Sequence, residues 1–395
     1  MRAARTLRFR WAAVAAPLLA PLLVALSAAV PAAADSVKLP AVRSVLGADE
    51  PCVPASTEHA SGTPWALAAL GNARSLTLSE GVGVTVAVVD TGVSANVSAL
   101  SGRVTALDGA GVDCVGHGTF AAGLIAAAGT ADGGPAGLAP RAQILAVRGT
   151  DERGGASAAR IADGIRKAAD AGASVIYVGV ALADGKAQLT DAVGYASRKN
   201  ALVVAPLAPD ALPKDRATGD LVPAQPWYWP AAAPGVLAVS DYGPDGGRPD
   251  NAPVVPGADL AAPGDSVVGI GPRGTGDFIG SGASLAAAHA AGAAALVRAR
   301  HPEMSAREVS RQLTEAAYPA APPRLDPYAA LTAVLPKGPG TTPRPAKAVV
   351  PAAVSQEPRQ RAFVVAAVGA GVLLLVAALA VVVPRGRARG WRPAG

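Results

Sequence analysis

Short, strongly apolar segments recur along the chain, and they constrain the fold more than any other feature of the sequence. Six of them have the length of buried strands: residues 84–89, 143–147, 174–180, 202–205, 236–240 and 258–261. Stretches with helical apolar spacing lie between the earlier ones, at residues 156–171 and 189–199. This alternation is typical of parallel sheets that helices cover on both faces. The sequence therefore predicts an α/β domain with a parallel sheet and right-handed crossovers.

Three more helices are predicted after the last of these strands. Residues 284–300 read SLAAAHAAGAAALVRAR and are apolar nearly all round, so we expect this helix to run through the core. Residues 306–316 and 326–334 are predicted to form helices that close the domain.

A second kind of apolar segment lies near the C-terminus. Residues 362–383 carry no charge, and as a helix they would span about 33 Å, enough for the core of a bilayer. A buried core helix is the alternative, but the apolar circumference and the flanking arginines favour a transmembrane helix. Residues 335–361 before it are rich in proline and are interpreted as a linker. Residues 384–395 form a basic tail.

The N-terminus has the features of an export signal. Several arginines precede an apolar run that ends in Ala32-Ala33-Ala34, so residues 1–34 are interpreted as a secretory signal peptide cleaved after Ala34. An uncleaved anchor helix is the alternative. Because arginines flank the span of residues 362–383 on both sides, charge alone does not orient it. The predicted export signal determines the orientation: the body is expected outside the cell and the tail in the cytoplasm.

The formal net charge of +6 suggests a nucleic-acid partner until the charges are located. Eight arginines lie in the two termini: Arg2, Arg5, Arg8, Arg10, Arg385, Arg387, Arg389 and Arg392. Without them the chain has 27 basic and 29 acidic residues, so the body is slightly acidic. The basic excess belongs to membrane topology, and we therefore expect no nucleic-acid partner.

An exported body changes how the two cysteines are interpreted. In an oxidising compartment Cys52 and Cys114 are expected to form a disulfide, which would tie an N-terminal extension, residues 35–71, to the main domain. Two free thiols are the alternative. The extension is either a propeptide that covers a cleft and is removed, or a segment that stays wrapped around the domain. A disulfide favours the second alternative, because cleavage would not release the extension.

Three short motifs carry residues suited to nucleophilic catalysis. Asp90 ends the apolar run of residues 84–89 and is followed by Thr-Gly, His117 lies in Gly-His-Gly-Thr, and Ser284 begins the predicted core helix. Each motif is weak alone, because Asp and Ser at such positions are common helix caps. Among the four histidines, only His117 has a glycine-flanked setting.

Taken together, these residues resemble a known family. The order Asp, His, Ser in VVDTG, GHGT and GASLAA resembles the subtilisin-like serine proteases over about residues 64–334. With the signal peptide, the extension, the linker and the anchor, the chain is similar to the mycosins, membrane-anchored proteases of type VII secretion. The resemblance implies a three-layer subtilisin-like domain over residues 72–334 with a protein or peptide substrate.

The resemblance also implies a role for each member of the triad. Ser284 would be the nucleophile, His117 the general base and then the general acid, and Asp90 the group that orients the imidazole. The backbone N–H of Ser284, at a helix N-terminus, would face the oxyanion.

One expected residue is missing. The family has an Asn after the strand that corresponds to residues 202–205, and its side chain donates a hydrogen bond to the oxyanion. Pro209 occupies this position in the favoured register, and Asp210 occupies it if the register slips by one. Proline has no donor, and an ionised carboxylate repels the developing charge. Losing such a donor costs about 10²–10³ in kcat.

Other departures affect the predicted substrate cleft. Tyr177 stands where the family has Asn in its VINxSLG strand, Ala283 replaces the Thr before the nucleophile, and Ala288 replaces a later Pro. Contacts with substrate are therefore expected to differ more than the triad does.

Two functions remain open from the sequence. The first is a slow, membrane-anchored extracellular serine endopeptidase, and the second is a degenerate homologue that serves as a structural component of a secretion complex. An aspartic protease would need a second Asp-Thr-Gly or Asp-Ser-Gly motif, which the sequence lacks. No cofactor is predicted, and no Cys/His cluster has the spacing of metal ligands.

Overall fold

The computed structural model describes residues 37–129, 134–215, 218–249, 252–336 and 357–390. The predicted signal peptide and residues 337–356 of the predicted linker lie outside these ranges, as do residues 35–36 and 391–395. The chain divides into two units, Met1–Ala333 and Val334–Gly395, and each is described by itself.

A seven-stranded sheet forms the centre of the first unit. Its strands are β1 (Thr85–Asp90), β2 (Val104–Ala106), β3 (Gln143–Arg148), β4 (Val175–Val178), β5 (Leu202–Pro206), β6 (Val236–Tyr242) and β7 (Leu260–Pro263). Their order is β2-β3-β1-β4-β5-β6-β7, and every neighbouring pair is parallel. The predicted α/β fold with a mainly parallel sheet is confirmed.

Helices cover both faces of this sheet. In chain order they are α1 (Trp65–Ala69), α2 (Asn72–Leu76), α3 (His117–Ala126), α4 (Ala158–Asp170), α5 (Lys186–Arg198), α6 (Ala283–Arg300), α7 (Ala306–Glu315) and α8 (Pro327–Thr332). Val86 and Val88 of β1 share a core with α3 and α6. Ala87 and Val89 share a second core with α4 and α5. Because successive side chains of a strand point to opposite faces, this alternation produces three layers.

Helix α6 is the central helix predicted from its composition. Its residues from Ala283 to Arg298 are all buried, and it packs against β4, β5, β6 and β7. Most of its residues are alanine, with one glycine. Their small side chains let the helix pack close to the sheet. Its first turn lies at the end of the sheet where strands β1 and β5 finish.

The N-terminal extension runs along a small second sheet. Strands β8 (Val267–Ile270) and β9 (Asp277–Gly280) form an antiparallel pair. The backbone N–H of Val42 donates to the carbonyl of Ile279, and the N–H of Ile279 donates to the carbonyl of Pro40. Cys52 and Cys114 form a disulfide that joins the extension to the segment before α3.

The described part of the second unit contains a long helix, α9 (Glu357–Ala388). Residues Phe363–Ala388 are long and apolar enough to cross a membrane, so the predicted transmembrane helix is present as a candidate span. The helix begins five residues before the predicted start at residue 362. Its first turn contains Pro358, and proline is tolerated there because the first N–H groups of a helix have no partner within it. It also continues past Pro384 into the predicted tail.

Candidate active site

The three predicted site residues come from three elements that meet at the carboxyl end of the sheet. Asp90 is the last residue of β1, His117 is the first residue of α3, and Ser284 is the second residue of α6. Parallel strands finish at the same edge, where loops and helix N-termini collect functional groups. The fold thereby brings together residues that lie up to 194 positions apart in the sequence.

The side chains of these residues form a continuous hydrogen-bonded chain. Nδ1 of His117 lies 2.8 and 3.0 Å from the two carboxylate oxygens of Asp90. Nε2 of the same ring lies 3.0 Å from Oγ of Ser284. All three residues are buried, so water competes little for these bonds. The arrangement has the geometry of a nucleophile, a base and a group that orients the base.

Asp90 is held by more than the imidazole. The backbone N–H of Thr91 donates to its Oδ1 at 2.6 Å. Gly179 follows strand β4 beside it, and a Cβ atom at this position would overlap the Asp90 carboxylate. Only glycine therefore leaves room for the carboxylate between β1 and β4.

A second buried carboxylate, Asp113, shapes the loop that carries His117. Its oxygens accept hydrogen bonds from the hydroxyl of Thr91, the backbone N–H of Gly116, and both the N–H and the hydroxyl of Thr119. The hydroxyl of Thr91 also accepts from the N–H of Gly118. Asp113 is not among the residues predicted from the sequence, although it lies four residues before His117 and next to Cys114.

The protonation of His117 depends on its two acidic neighbours. Burial alone lowers the pKa of His117, but the charge of Asp90 and a hydrogen bond to Asp210 raise it, and the net pKa lies well above its ordinary value. Oδ2 of Asp210 lies 3.5 Å from Nε2. The imidazole therefore favours its protonated form in this arrangement.

Asp210 occupies the place where an oxyanion donor was expected. Its Oδ1 accepts the backbone N–H of Ser284 at 2.9 Å, and its Oδ2 accepts the Ser284 hydroxyl at 2.6 Å. The side chain at this place is that of Asp210, the residue of the alternative register, and not that of Pro209. The loop after β5 turns so that the side chain of Asp210 reaches the N-terminus of α6.

Gly282 makes this position of Asp210 possible. A Cβ atom at residue 282 would overlap the Asp210 carboxyl group, and the backbone at Gly282 has φ of 154°. The N–H of Gly282 donates to the carbonyl of Gly264 at 2.7 Å, which fixes the turn before α6. Asp210 can therefore occupy this position only while residue 282 is glycine.

Tyr177, a predicted departure from the family pattern, also reaches the site. Its ring is fully buried, and its hydroxyl has no well-aligned hydrogen-bond partner among the residues that the structure describes, although Ser284 and Asp90 lie close enough to shift its pKa. Burial raises the pKa of Tyr177 far above its ordinary value, and the charges of Asp90 and Asp210 raise it further. The hydroxyl therefore keeps its proton and is available as a donor. Ala283 and Ala288 are buried in α6 and bring no polar group to the site.

A metal role is a separate question. Within the described ranges, no group of three or more His, Cys, Asp or Glu residues has the arrangement of a metal site.

Comparison with known proteins agrees with the geometry. The model of the subtilase family, Peptidase_S8, matches residues 81–369. Thermitase from Thermoactinomyces vulgaris is 36% identical over 230 residues, covering 56% of this chain and 76% of thermitase. Mycosin-3 from Mycobacterium tuberculosis is 33% identical over 380 residues, covering 78% of this chain and 81% of mycosin-3.

Solved structures add a match in three dimensions. The crystal structure of MycP1 from the ESX-1 type VII secretion system superimposes with a TM-score of 0.61 at 26% identity, covering 78% of this chain and all of that one. The chain therefore belongs to the subtilase family of serine proteases. Within that family it resembles the mycosins, and the predicted resemblance is confirmed.

Proposed function

We propose that this protein is a membrane-anchored serine endopeptidase in which Ser284, His117 and Asp90 form the catalytic triad. The single observation that carries the proposal is the hydrogen-bonded chain from Asp90 through His117 to Ser284. The chain belongs to the subtilase family, and this supports a catalytic role for the three hydrogen-bonded residues. Peptide-bond hydrolysis needs a nucleophile that is activated by a base.

The proposed reaction follows from the geometry. Ser284 Oγ attacks the peptide carbonyl carbon and gives its proton to His117 Nε2, and the electron pair of the carbonyl bond moves to the oxygen. The resulting oxyanion accepts the backbone N–H of Ser284. When the C–N bond breaks, His117 returns the proton to the leaving amine. Asp90 holds Nδ1 protonated and stabilises the imidazolium throughout.

The proposal extends to the location and partners of the protein. Helix α9 would anchor the chain in the cell membrane, with the protease domain outside and the basic tail in the cytoplasm. The similarity to mycosin-3, and to MycP1 from a type VII secretion system, supports an association with a secretion complex of that kind. The substrate would be a peptide segment of a protein outside the membrane.

A fluorophosphonate probe tests the triad without knowledge of the substrate. The probe is applied to the full chain in membranes, and Ser284→Ala is compared with Ser281→Ala, which changes a neighbouring serine of the same turn. We expect labelling of the original chain and of Ser281→Ala, and none of Ser284→Ala. Equal labelling of Ser284→Ala, on chains shown to be folded by circular dichroism, would refute the assignment of the nucleophile.

A second candidate function is favoured by one observation. The carboxylate of Asp210 takes the backbone donor that the oxyanion needs, as well as the Ser284 hydroxyl. A chain locked in this state would be a degenerate protease with a structural role in a secretion complex. Absence of labelling in every folded variant would favour that function over the peptidase.

A further inference from the structure

Asp210 competes directly with the reaction that the triad would perform. Its Oδ1 holds the N–H of Ser284, the donor that an oxyanion needs, and its Oδ2 holds the Ser284 hydroxyl proton, which must point to His117 before attack. A serine hydroxyl has one proton and cannot donate to both neighbours. The geometry thus fits a resting arrangement in which His117 Nε2–H donates to Ser284 Oγ and the Ser284 hydroxyl donates to Asp210.

Several charged or titratable groups face this carboxyl from the surrounding elements. His117 of α3 lies 3.5 Å away, and Asp90 of β1 contacts the other nitrogen of the same imidazole. The charge of Asp210 also reaches Tyr177 of β4 and raises its pKa. Asp241 of β6 is also near, since burial raises its pKa, Arg248 counteracts the rise, and the charge of Asp210 adds to it. Three acidic groups and one imidazole therefore share this end of the sheet, which favours keeping protons within it.

Taking the peptidase function above as its basis, we propose that Asp210 is a further catalytic residue, acting as a protonated carboxylic acid. In this form its Oδ–H donates the side-chain hydrogen bond to the oxyanion. In its ionised form it keeps the site closed. A protonated carboxyl can donate where a carboxylate only accepts, so one residue serves both states.

The contacts already contain a path for the proton. His117 Nε2–H lies 3.0 Å from Ser284 Oγ, which lies 2.6 Å from Asp210 Oδ2. Ser284 accepts the proton of Nε2 and gives its own to Oδ2, so His117 loses one proton, Asp210 gains one and serine stays neutral. Afterwards the new Ser284 hydroxyl proton points at the free electron pair of Nε2, as attack requires.

Binding of the substrate releases the N–H of Ser284 from Asp210. The carbonyl oxygen of the substrate approaches this N–H and replaces Oδ1, because protonated Asp210 no longer has the charge that favoured the bond. During attack the oxygen gains the electron pair of the carbonyl bond and accepts hydrogen bonds from the N–H of Ser284 and from Asp210 Oδ–H. When the intermediate collapses the pair returns to the carbonyl, the C–N bond breaks, and His117 protonates the amine. Asp210 has kept its proton.

This mechanism gives the site an unusual dependence on pH. The pair of His117 and Asp210 must hold one proton between them, and its titration belongs to the pair and not to either residue. As the pH rises, the pair loses that proton. Asp210 is then ionised beside a neutral His117, and its charge repels the oxyanion. Reactivity must then fall on the alkaline side, where an ordinary serine protease keeps it.

Two substitutions separate the charge of Asp210 from its donor. Asp210→Asn keeps a permanent donor without charge, and Asp210→Ala removes both. Asp220→Asn, in the exposed part of the same connection, is the matched control. The rate of fluorophosphonate labelling of the full chain in membranes is measured between about pH 5 and pH 10, with circular dichroism at each pH to confirm folding.

We expect the original chain and Asp220→Asn to show a bell-shaped profile with an alkaline decline. Asp210→Asn is expected to rise as His117 loses its proton and then to stay high, without the decline. Asp210→Ala is expected to lose the decline too, but to reach a plateau about 10²–10³-fold below that of Asp210→Asn, the usual cost of one missing oxyanion donor.

Other outcomes overturn the proposal in distinguishable ways. If Asp210→Ala is labelled faster than the original chain at every pH, Asp210 only blocks the site and donates nothing, while the triad stands. If all profiles have the same shape, the titration of Asp210 has no part in the reaction. If no chain is labelled at any pH, the proposed peptidase function itself fails, and the role of Asp210 fails with it.

Discussion

Two buried histidines on neighbouring helices have pKa values that are shifted in opposite directions, although burial lowers both. His289 lies in the middle of α6, where its Nδ1 donates to the carbonyl of Pro263 at 2.8 Å, and burial lowers its pKa to about 4. His117, at the start of α3, is equally buried, yet Asp90 and Asp210 hold its pKa well above the ordinary value. Burial sets the cost of a charge, and the neighbours decide whether it is compensated.

The difference separates a structural histidine from a functional one. A neutral carbonyl cannot compensate an imidazolium, so His289 stays uncharged and packs as part of the core. Two carboxylates can compensate the charge of an imidazolium, so His117 can bind a proton and transfer it. The same residue type on two touching helices therefore contributes to packing in one case and to proton transfer in the other.

The largest expected effect comes from removing the carboxylate that orients His117. Asp90→Asn keeps the shape but favours the wrong tautomer of the ring, and the analogous change in a serine-protease triad lowers kcat about 10⁴-fold. We expect the rate of fluorophosphonate labelling to fall by a similar factor. The pKa of His117 should fall as well, bringing it closer to that of His289. A decrease of less than about tenfold would show that Asp90 does not orient the base.

A smaller effect is expected at His289 and concerns stability. Its native pKa of about 4 lies below the ordinary 6.5, so between these values the unfolded chain binds more protons than the native one. The free energy of unfolding should therefore fall as the pH drops from 6.5 to 4, with about 3 kcal/mol from this residue.

His289→Gln tests this expectation, because glutamine does not titrate. Urea unfolding is measured at several pH values in this range, with His301→Gln at the half-exposed end of α6 as the control. The variant should show a shallower dependence on pH even if its stability is lower throughout. An unchanged slope would mean that other groups cause the loss of stability in acid.

The smallest effect is expected at Asp113, which acts on His117 through the loop. In Asp113→Asn the amide nitrogen cannot accept the hydrogen bonds that an oxygen accepts from Thr119, and we expect a loss of about 2 kcal/mol in stability. Labelling should slow while the pH of maximal labelling stays unchanged. Asp108→Asn, which changes an exposed ion pair with Lys167, should leave both quantities unaltered. A shifted optimum would place Asp113 in proton transfer.

The sheet was predictable because its strands are continuous apolar runs. The bounds of the six predicted strands differ from β1, β3, β4, β5, β6 and β7 by no more than two residues. Strands β4 and β7 have only four residues each, yet they were predicted because they lie in continuous apolar runs. Strands β2, β8 and β9 were missed because Thr105, Gly269, Asp277 and Gly280 interrupt their apolar character.

The site was predictable only in part, for a related reason. Asp90, His117 and Ser284 lie in motifs with fixed positions relative to a strand or a helix. Asp210 lies in the loop that follows β5, where Pro209 interrupts any period, so the sequence alone does not distinguish Pro209 from Asp210 as the residue beside Ser284. Tyr177 was recognised as a departure, but nothing in the sequence indicated that its buried hydroxyl would lack a well-aligned hydrogen-bond partner.

The disulfide has a topological consequence. It closes residues 52 to 114 into a covalent ring, and Asp90 belongs to that ring while His117 follows it by three residues. A cut before Cys52 releases everything on its N-terminal side, but a cut inside the ring releases nothing until the disulfide is reduced. On a gel, such a nicked molecule would migrate as one species without reductant and as two with it, and its acid and its base would remain parts of one molecule.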